Sequence, residues 1–190
     1  MDTARAADAA IQNVQKEGLT DIFERPFEVD LLKDDDFRNR VRETIVRSIG
    51  SGGLPGLGVN AIDHVLLPKN SPFSFRRCAL IHPMDTLKYF ALVLTIADTI
   101  EKARIAVRKN RVYSYRFKLN KGYVFNRHYT ISAFKKMTAC KAKRKNTKLM
   151  VSCDIANFYD RLNLHRLENI LMSIGCDRSR VKLINELLIF

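Results

Sequence analysis

The residues best suited to chemistry lie together in segment 149–160, which reads Leu-Met-Val-Ser-Cys-Asp-Ile-Ala-Asn-Phe-Tyr-Asp. Its apolar start predicts a short buried strand that ends at Asp154. A carboxylate at the end of a strand lies at the rim of a sheet, where its oxygens can bind a hard cation such as Mg²⁺. Tyr159 follows five residues later and would lie beside that cation. The segment therefore predicts a metal site, with a structural capping role for Asp154 as the alternative.

The charge of the chain is concentrated in one place. The 190 residues include 33 Lys and Arg against 20 Asp and Glu, a net charge of +13. Residues 101–150 hold 16 of these cations and a single acid, which leaves 17 cations and 19 acids for the other 140 residues. Such a block repels itself unless it faces a polyanion, and nucleic acid is the usual one. A solvated basic tail is the alternative.

Aromatic residues favour the nucleic-acid interpretation over the tail. Nucleic-acid-binding surfaces mix cations with rings that stack on bases, whereas solvated tails contain few rings. The basic segment contains seven: Tyr113, Tyr115, Phe117, Tyr123, Phe125, Tyr129 and Phe134.

Composition excludes several other classes. A hydrophobic fraction of 46% is enough for a core, so the chain is not disordered throughout. The sequence lacks both the run of about 18 apolar residues that a membrane span needs and a secretory signal. Its four cysteines form no Cys-x-x-Cys pair and have no metal-ligand spacing with the four histidines. We expect a cytoplasmic protein with reduced thiols and no membrane contact.

Local patterns predict an α+β fold. Helices are expected over 1–17, 35–49, 84–109, 131–142, 164–174 and 178–190. Short extended pieces are expected over 65–83, and a basic β-hairpin over 112–118 and 122–127 with its turn at 119–122. The glycine-rich segment 48–58 lacks the Gly-Lys-Ser or Gly-Lys-Thr ending of a phosphate-binding loop. It is predicted to be a flexible hinge or a loop whose backbone another group approaches closely.

The segment around Asp154 resembles motif A of reverse transcriptases, where an apolar strand, an Asp, and an aromatic pair followed by Asp occur in this order. The continuation Arg-Leu-Asn-Leu-His-Arg-Leu at 161–167 is similar to the family's usual one. Val112-Tyr-Ser-Tyr-Arg116-Phe resembles the second motif of the fingers, and residues 76–83 resemble the first. The likeness covers residues 60–190 and is closest to the defence-associated and abortive-infection reverse transcriptases of bacteria.

The resemblance implies an organisation and an activity. Residues 1–58 would form a helical N-terminal arm and hinge, residues 59–148 the fingers with an antiparallel hairpin and helices, and residues 149–190 the first strand and helix of the palm. The activity would be that of an RNA-directed DNA polymerase, which joins deoxynucleoside triphosphates by two-metal catalysis with Mg²⁺ or Mn²⁺. Its expected setting is bacterial antiviral defence.

The resemblance also implies residue roles. Asp154 would be the catalytic metal ligand, with the main-chain carbonyl of Ile155 as a second ligand. Tyr159 would lie beneath the incoming sugar, and Arg116 would bind a triphosphate or template phosphate, since its planar fork suits phosphate oxygens. The alternatives are a core aromatic for Tyr159 and a surface salt bridge for Arg116. Contacts to RNA or DNA are expected from Lys118, Lys121, Arg127, Lys135, Lys143, Arg144 and Lys145.

One departure from the family concerns the second metal-binding motif. The aromatic-x-Asp-Asp turn that supplies further carboxylates does not occur, and adjacent aspartates are found only at 34–36. We therefore expect this chain to be the N-terminal part of a longer polymerase and to be inactive alone. The remainder of the polymerase, a partner subunit or a nucleic acid would cover the edge of the palm strand, and a second copy of the chain is a further candidate partner.

Two other functions remain open. The chain could be a non-catalytic module that binds RNA or DNA, with Asp154 in a structural role. It could also be an assembly subunit whose Ala-rich N-terminal helix packs on a partner.

Overall fold

The computed structural model describes residues 1–19, 25–68, 73–155, 158 and 161–189. Over these residues the chain forms eight α-helices, one 3₁₀ turn and four strands in two separate antiparallel hairpins. The helices are α1 (Thr3–Glu17), α2 (Phe27–Leu31), α3 (Asp35–Gly50), α4 (Leu54–Leu57), α5 (Pro83–Ala103), α6 (Ile131–Ala142), α7 (Leu164–Ser173) and α8 (Arg178–Ile189). The strands are β1 (Asp63–Pro68), β2 (Phe75–Leu80), β3 (Phe117–Asn120) and β4 (Tyr123–Phe125). The predicted α+β class is confirmed at this level, and no described helix is long and apolar enough to cross a membrane.

Polar side chains determine where several helices begin. Asp34 accepts a hydrogen bond from the main-chain amide of Phe37 at 2.8 Å, and this caps α3. Thr130 accepts from Ala133 in the same way at the start of α6, and Asn163 accepts from Arg166 at the start of α7. Such caps satisfy amides that have no partner within the helix. The start points are therefore local properties of the sequence, and they match the predicted ones closely.

The core joins the first and last helices of the chain. Helix α1 packs against α3 and α5, and α8 packs against α5. The small side chains of Ala6, Ala7 and Ala10 are fully buried and allow a close approach, while Ile11 and Val14 fill the space beside them. Because the apolar face of α1 is covered by this chain, α1 is not a detached arm. The face that the assembly alternative requires is not exposed.

Helix α5 ends six residues earlier than the pattern predicted, at Ala103. Arg104 is extended, and its guanidinium donates to the carbonyls of Tyr115 and Ser114 at 2.6 and 2.8 Å. These bonds hold residues 114 and 115 next to the C-terminal end of α5. Tyr115 has a φ of 48°, a left-handed conformation that interrupts an extended strand. The hairpin is therefore limited to β3 and β4, and the predicted strand over 112–116 is not formed.

The predicted palm strand before Asp154 is also absent. Residues 149–155 form no strand, and Leu149, Met150 and Val151 are exposed by 79%, 59% and 72%. A strand needs a neighbour that pairs with its amides and carbonyls. The described strands pair only within their own hairpins, so no neighbour is supplied. The expectation of a buried strand that ends at Asp154 is wrong for this structure.

The glycine-rich segment contacts the core at its end. It contains the short helix α4, whose Leu57 is buried. Buried Lys88 donates to the Gly58 carbonyl at 2.8 Å and to Asp85 at 3.1 Å, and both the main-chain and side-chain amides of Asn60 donate to Asp85. This buried pair on α5 ties the end of the segment to the core.

The Asp85–Lys88 pair predicts a pH-dependent stability. Burial by itself raises the pKa of Asp85, but the bonds from Asn60 and Lys88 outweigh it, so the pKa lies below the ordinary value of 3.8. A carboxyl with a lowered folded pKa stabilises the fold fully above its unfolded pKa and stops doing so as the pH falls through its folded pKa. We expect Asp85→Asn to lower the free energy of unfolding at neutral pH by about 3 kcal/mol, because Lys88 loses its buried partner.

The measurement is urea unfolding of both proteins across pH. The difference in unfolding free energy should be constant above about pH 5 and should shrink below about pH 4. A difference that stays constant from about pH 6 to about pH 3 would show that Asp85 does not act as a paired carboxylate.

Candidate nucleic-acid interface and metal site

Helix α6 packs little against the rest of the described chain. None of its residues is buried, and Ile131 and Phe134 are 67% and 45% exposed. An isolated helix of about twelve residues is marginal in water, because most helical stability in proteins comes from packing. The surface of α6 is therefore available to a partner.

The cations of α6 and of the turn that follows it point into solvent. After α6, the Thr147 hydroxyl donates to the Lys141 carbonyl at 2.8 Å and the Thr147 amide donates to the Arg144 carbonyl at 2.9 Å, which closes the turn. The exposed cations along this surface, called the α6 basic surface below, are Lys135, Lys136, Lys141, Lys143, Arg144, Lys145 and Lys148.

Few of the cations in residues 101–150 have an acidic partner. Of the 16, three form ion pairs with carboxylates in the described part of the chain: Arg104 and Arg116 with Glu101, and Arg127 with Glu17. The other thirteen lack such a partner among the described residues. The positive potential of the α6 basic surface is therefore not neutralised from within this part of the protein.

The hairpin adds a smaller basic region that is fixed to α1. Lys121 and Gly122 have φ values of 47° and 82°, as a two-residue hairpin turn requires. The Tyr123 ring lies between the Lys16 ammonium and the Arg127 guanidinium, each 4.7 Å from the ring centroid. Arg127 is thus already engaged by Tyr123 and Glu17, whereas Lys118 and Lys121 are exposed.

Most of the rings in the basic segment pack against one another. Tyr113 contacts Tyr129 and Phe134 with ring centroids 5.5 and 5.8 Å apart, and Tyr115 meets Phe125 edge-on at 5.2 Å. Only Tyr115, at 72%, and Phe134 are substantially exposed among the seven. The rings therefore build the local structure, and two of them remain for stacking on bases.

Arg116 lies in a buried ion pair. Its side chain is 2% exposed, its guanidinium pairs with the Glu101 carboxylate, and Nη1 donates to the Ile105 carbonyl at 2.8 Å. The structure therefore places it neither at an open phosphate site nor in the surface salt bridge considered as the alternative. Sequence reasoning missed Glu101 as its partner, although Glu101 is the single acid within 101–150 and was the available signal.

Breaking this pair should destabilise the protein. We expect Arg116→Gln to lower the free energy of unfolding by about 3 kcal/mol, because the Glu101 carboxylate would stay mostly buried after losing one of its ion-pair partners. Lys118→Gln, two residues away and exposed, is the matched control and should change stability by less than about 0.5 kcal/mol. Urea unfolding followed by circular dichroism measures both, and equal stability of the two variants would contradict a structural role for Arg116.

Asp154 and Ile155 lie on an exposed stretch of irregular chain. Asp154 has no hydrogen-bond or ion-pair partner in the described part of the protein, and no group of three metal-ligating side chains occurs there. Tyr159 falls outside the described residues. Phe158 is 46% exposed. One free carboxylate and one carbonyl fit part of a Mg²⁺ ligand set, which commonly includes waters and substrate phosphates as well.

The chain was compared with protein-family models, curated proteins and solved structures, and none of them matches.

Proposed function

We propose that this chain is the nucleic-acid-binding part of a nucleotidyltransferase that resembles a reverse transcriptase and acts in bacterial antiviral defence. The observation that supports it best is the α6 basic surface: a helix without a buried residue, continued by an exposed basic turn, whose cations have no acidic partner in the described part of the chain. A polyanion supplies both the missing charge and the missing packing.

Binding would rest mainly on phosphates. Lys143, Arg144 and Lys145 follow the last turn of α6 and are exposed, as Lys135 and Lys141 on the helix are. Such contacts hold the backbone of RNA or DNA without reading its sequence. The exposed rings of Phe134 and Tyr115 would stack on unpaired bases.

The catalytic role would fall to Asp154. When bound, Mg²⁺ or Mn²⁺ would stabilise the charge that develops on the transferred phosphoryl group. The Asp154 carboxylate and the Ile155 carbonyl would hold the ion, and exposure of both residues leaves room for a substrate phosphate. Tyr159 would lie beneath the incoming sugar, where its ring would exclude a 2′-hydroxyl and favour deoxynucleotides.

A non-catalytic binding module is the second candidate. The α6 basic surface favours it directly, because phosphate contacts by these cations do not involve Asp154. Both candidates therefore share the same nucleic-acid interface, and they differ only in whether nucleotide is incorporated.

Two assays test the proposal, and both use the natural protein, meaning the full-length protein that contains this chain. Fluorescence anisotropy would measure binding to labelled RNA, DNA and hybrid duplex of equal length, with polyaspartate as a polyanion control. A second assay would follow incorporation of labelled deoxynucleotides on an RNA template with Mg²⁺. Binding with incorporation supports the enzyme, binding alone supports the module, and failure to prefer nucleic acid over polyaspartate would overturn both.

A further inference from the structure

A second basic site lies away from α6. The start of α1, the last turns of α5 and strand β3 line an open cavity of about 580 Å³. This volume lies within the range of roughly 300 to 1,000 Å³ found for small-molecule sites. Residues from 1 to 119 line the cavity, so neither α6 nor Asp154 contributes to it.

The acids in this cavity are already paired. Asp98 lies 3.7 Å from the α-amino group of Met1. The Glu101 carboxylate pairs with both Arg104 and Arg116 and also accepts the Phe117 amide at 3.1 Å. Both carboxylates therefore already have cationic partners, and neither pairs with the other cations of the cavity.

Three cations of the cavity remain without an acidic partner among the described residues. They come from three different elements: Arg5 from α1, Lys102 from α5 and Lys118 from β3. All three are exposed and line the same space. The three positive charges repel one another while the site is empty. A bound anion would make the net electrostatic energy of the site favourable.

Arg116 supplies an independent sign of a missing acceptor. It lines the same cavity, and its Nε is buried without a hydrogen-bond partner, although both terminal nitrogens are engaged. A buried donor without an acceptor costs free energy. An anion oxygen bound in the cavity beside this guanidinium would supply the acceptor that Nε lacks, with the Glu101 pair left in place.

We propose that this cavity binds a small anion of the phosphate-ester class that carries at least two negative charges and is of nucleotide size. Guanidinium groups pair with phosphate oxygens through two parallel hydrogen bonds, which favours phosphate over other anions here. We take the ligand to be a free small molecule, because the cavity has the volume of a small-molecule site and contains no residue of the α6 basic surface. This site shares Lys118 with the predicted nucleic-acid contacts but shares no residue with the α6 basic surface.

Calorimetric titration of the natural protein with inorganic tripolyphosphate, ATP and adenosine tests the proposal. Tripolyphosphate and ATP should bind, and adenosine should not. The double variant Arg5→Gln/Lys102→Gln should weaken tripolyphosphate binding by about tenfold, since exposed charge contacts are individually modest. Lys182→Gln, an exposed cation on α8, is the matched control and should bind as the wild type does.

A gain-of-affinity variant separates a binding role from a loss of folding. Asp98 has a half-exposed side chain, so Asp98→Asn should leave the fold intact while it raises affinity for tripolyphosphate by about threefold. Absence of tripolyphosphate binding, unchanged affinity in the double variant, or weaker binding by Asp98→Asn would each overturn the proposal. Neutralising the α6 basic surface should not change this affinity, so the two sites fail separately.

Discussion

Replacing Asp154 with asparagine should abolish nucleotide incorporation by the natural protein while its affinity for nucleic acid stays nearly unchanged. The substitution keeps the size of the side chain and removes the one negative charge that this exposed position offers to a cation. Even residues that only orient a metal ligand change affinity or activity by about 10- to 100-fold, so a direct ligand should reach at least the upper value. The cations proposed to bind phosphate lie on α6 and in the turn that follows it, outside segment 149–160.

The measurement pairs incorporation of labelled deoxynucleotides with anisotropy on the same nucleic acid. Asp63→Asn is the matched control, because Asp63 is also exposed and has no ion-pair partner among the described residues. Retained polymerisation by Asp154→Asn in Mg²⁺ or Mn²⁺ would show that Asp154 does not bind the catalytic metal. Loss of nucleic-acid binding in this variant would place the carboxylate in the binding surface instead.

Neutralising the α6 basic surface should have its main effect on nucleic-acid affinity, which Asp154→Asn should leave nearly unchanged. We expect the fourfold variant Lys135→Gln, Lys143→Gln, Arg144→Gln and Lys145→Gln to weaken nucleic-acid binding by about 100-fold at physiological salt. The logarithm of the binding constant should also depend less steeply on the logarithm of the salt concentration, by about three units of slope. Stability should be unchanged, because none of these side chains is buried or ion-paired within the described chain.

A control of equal charge excludes a general effect of net charge. The variant Arg40→Gln, Arg47→Gln, Arg178→Gln and Lys182→Gln removes four exposed cations from α3 and α8. It should bind nucleic acid within about twofold of the wild type. Equal losses in the two fourfold variants would mean that binding depends on total charge and not on the α6 basic surface.

The helices of this protein could be predicted because their signals are local. The boundaries of α6 agree with the predicted range of 131–142, since Thr130 caps its start and the basic turn follows its end. The prediction for α3 was equally close, because Asp34 caps it and Val41, Ile45 and Ile49 occupy one buried face. Capping and 3.6-residue periodicity depend only on neighbours in sequence.

The errors concern contacts between distant parts of the chain. The ion pair of Arg116 with Glu101 depends on the early end of α5 and the left-handed Tyr115, and neither has a clear sequence pattern. The apolar run before Asp154 was predicted to be a buried strand, but strand formation requires a partner that the run does not itself specify. Periodicity alone could not supply that information.

The sequence was enough to predict the positive charge of the candidate interface, but it was not enough to predict how the side chains of the interface are arranged. Counting charges identified residues 101–150, and the near absence of acids there already meant that most cations would stay unpaired. Sequence could not show that Tyr113 contacts both Tyr129 and Phe134, or that Tyr113 and Tyr129 are half-buried and offer little ring surface to a base. Ring contacts depend on the path of the chain between β4 and α6, which the sequence does not reveal.

The salt dependence of nucleic-acid binding tests the central claim most directly. Affinity of the natural protein for a labelled RNA would be measured by anisotropy from about 50 mM to about 200 mM salt, where each released counterion contributes to the slope. Contacts from the α6 basic surface predict a log–log slope steeper than about −4. A slope near zero over this range would contradict the account, because phosphate contacts by the exposed cations could not then be the source of binding.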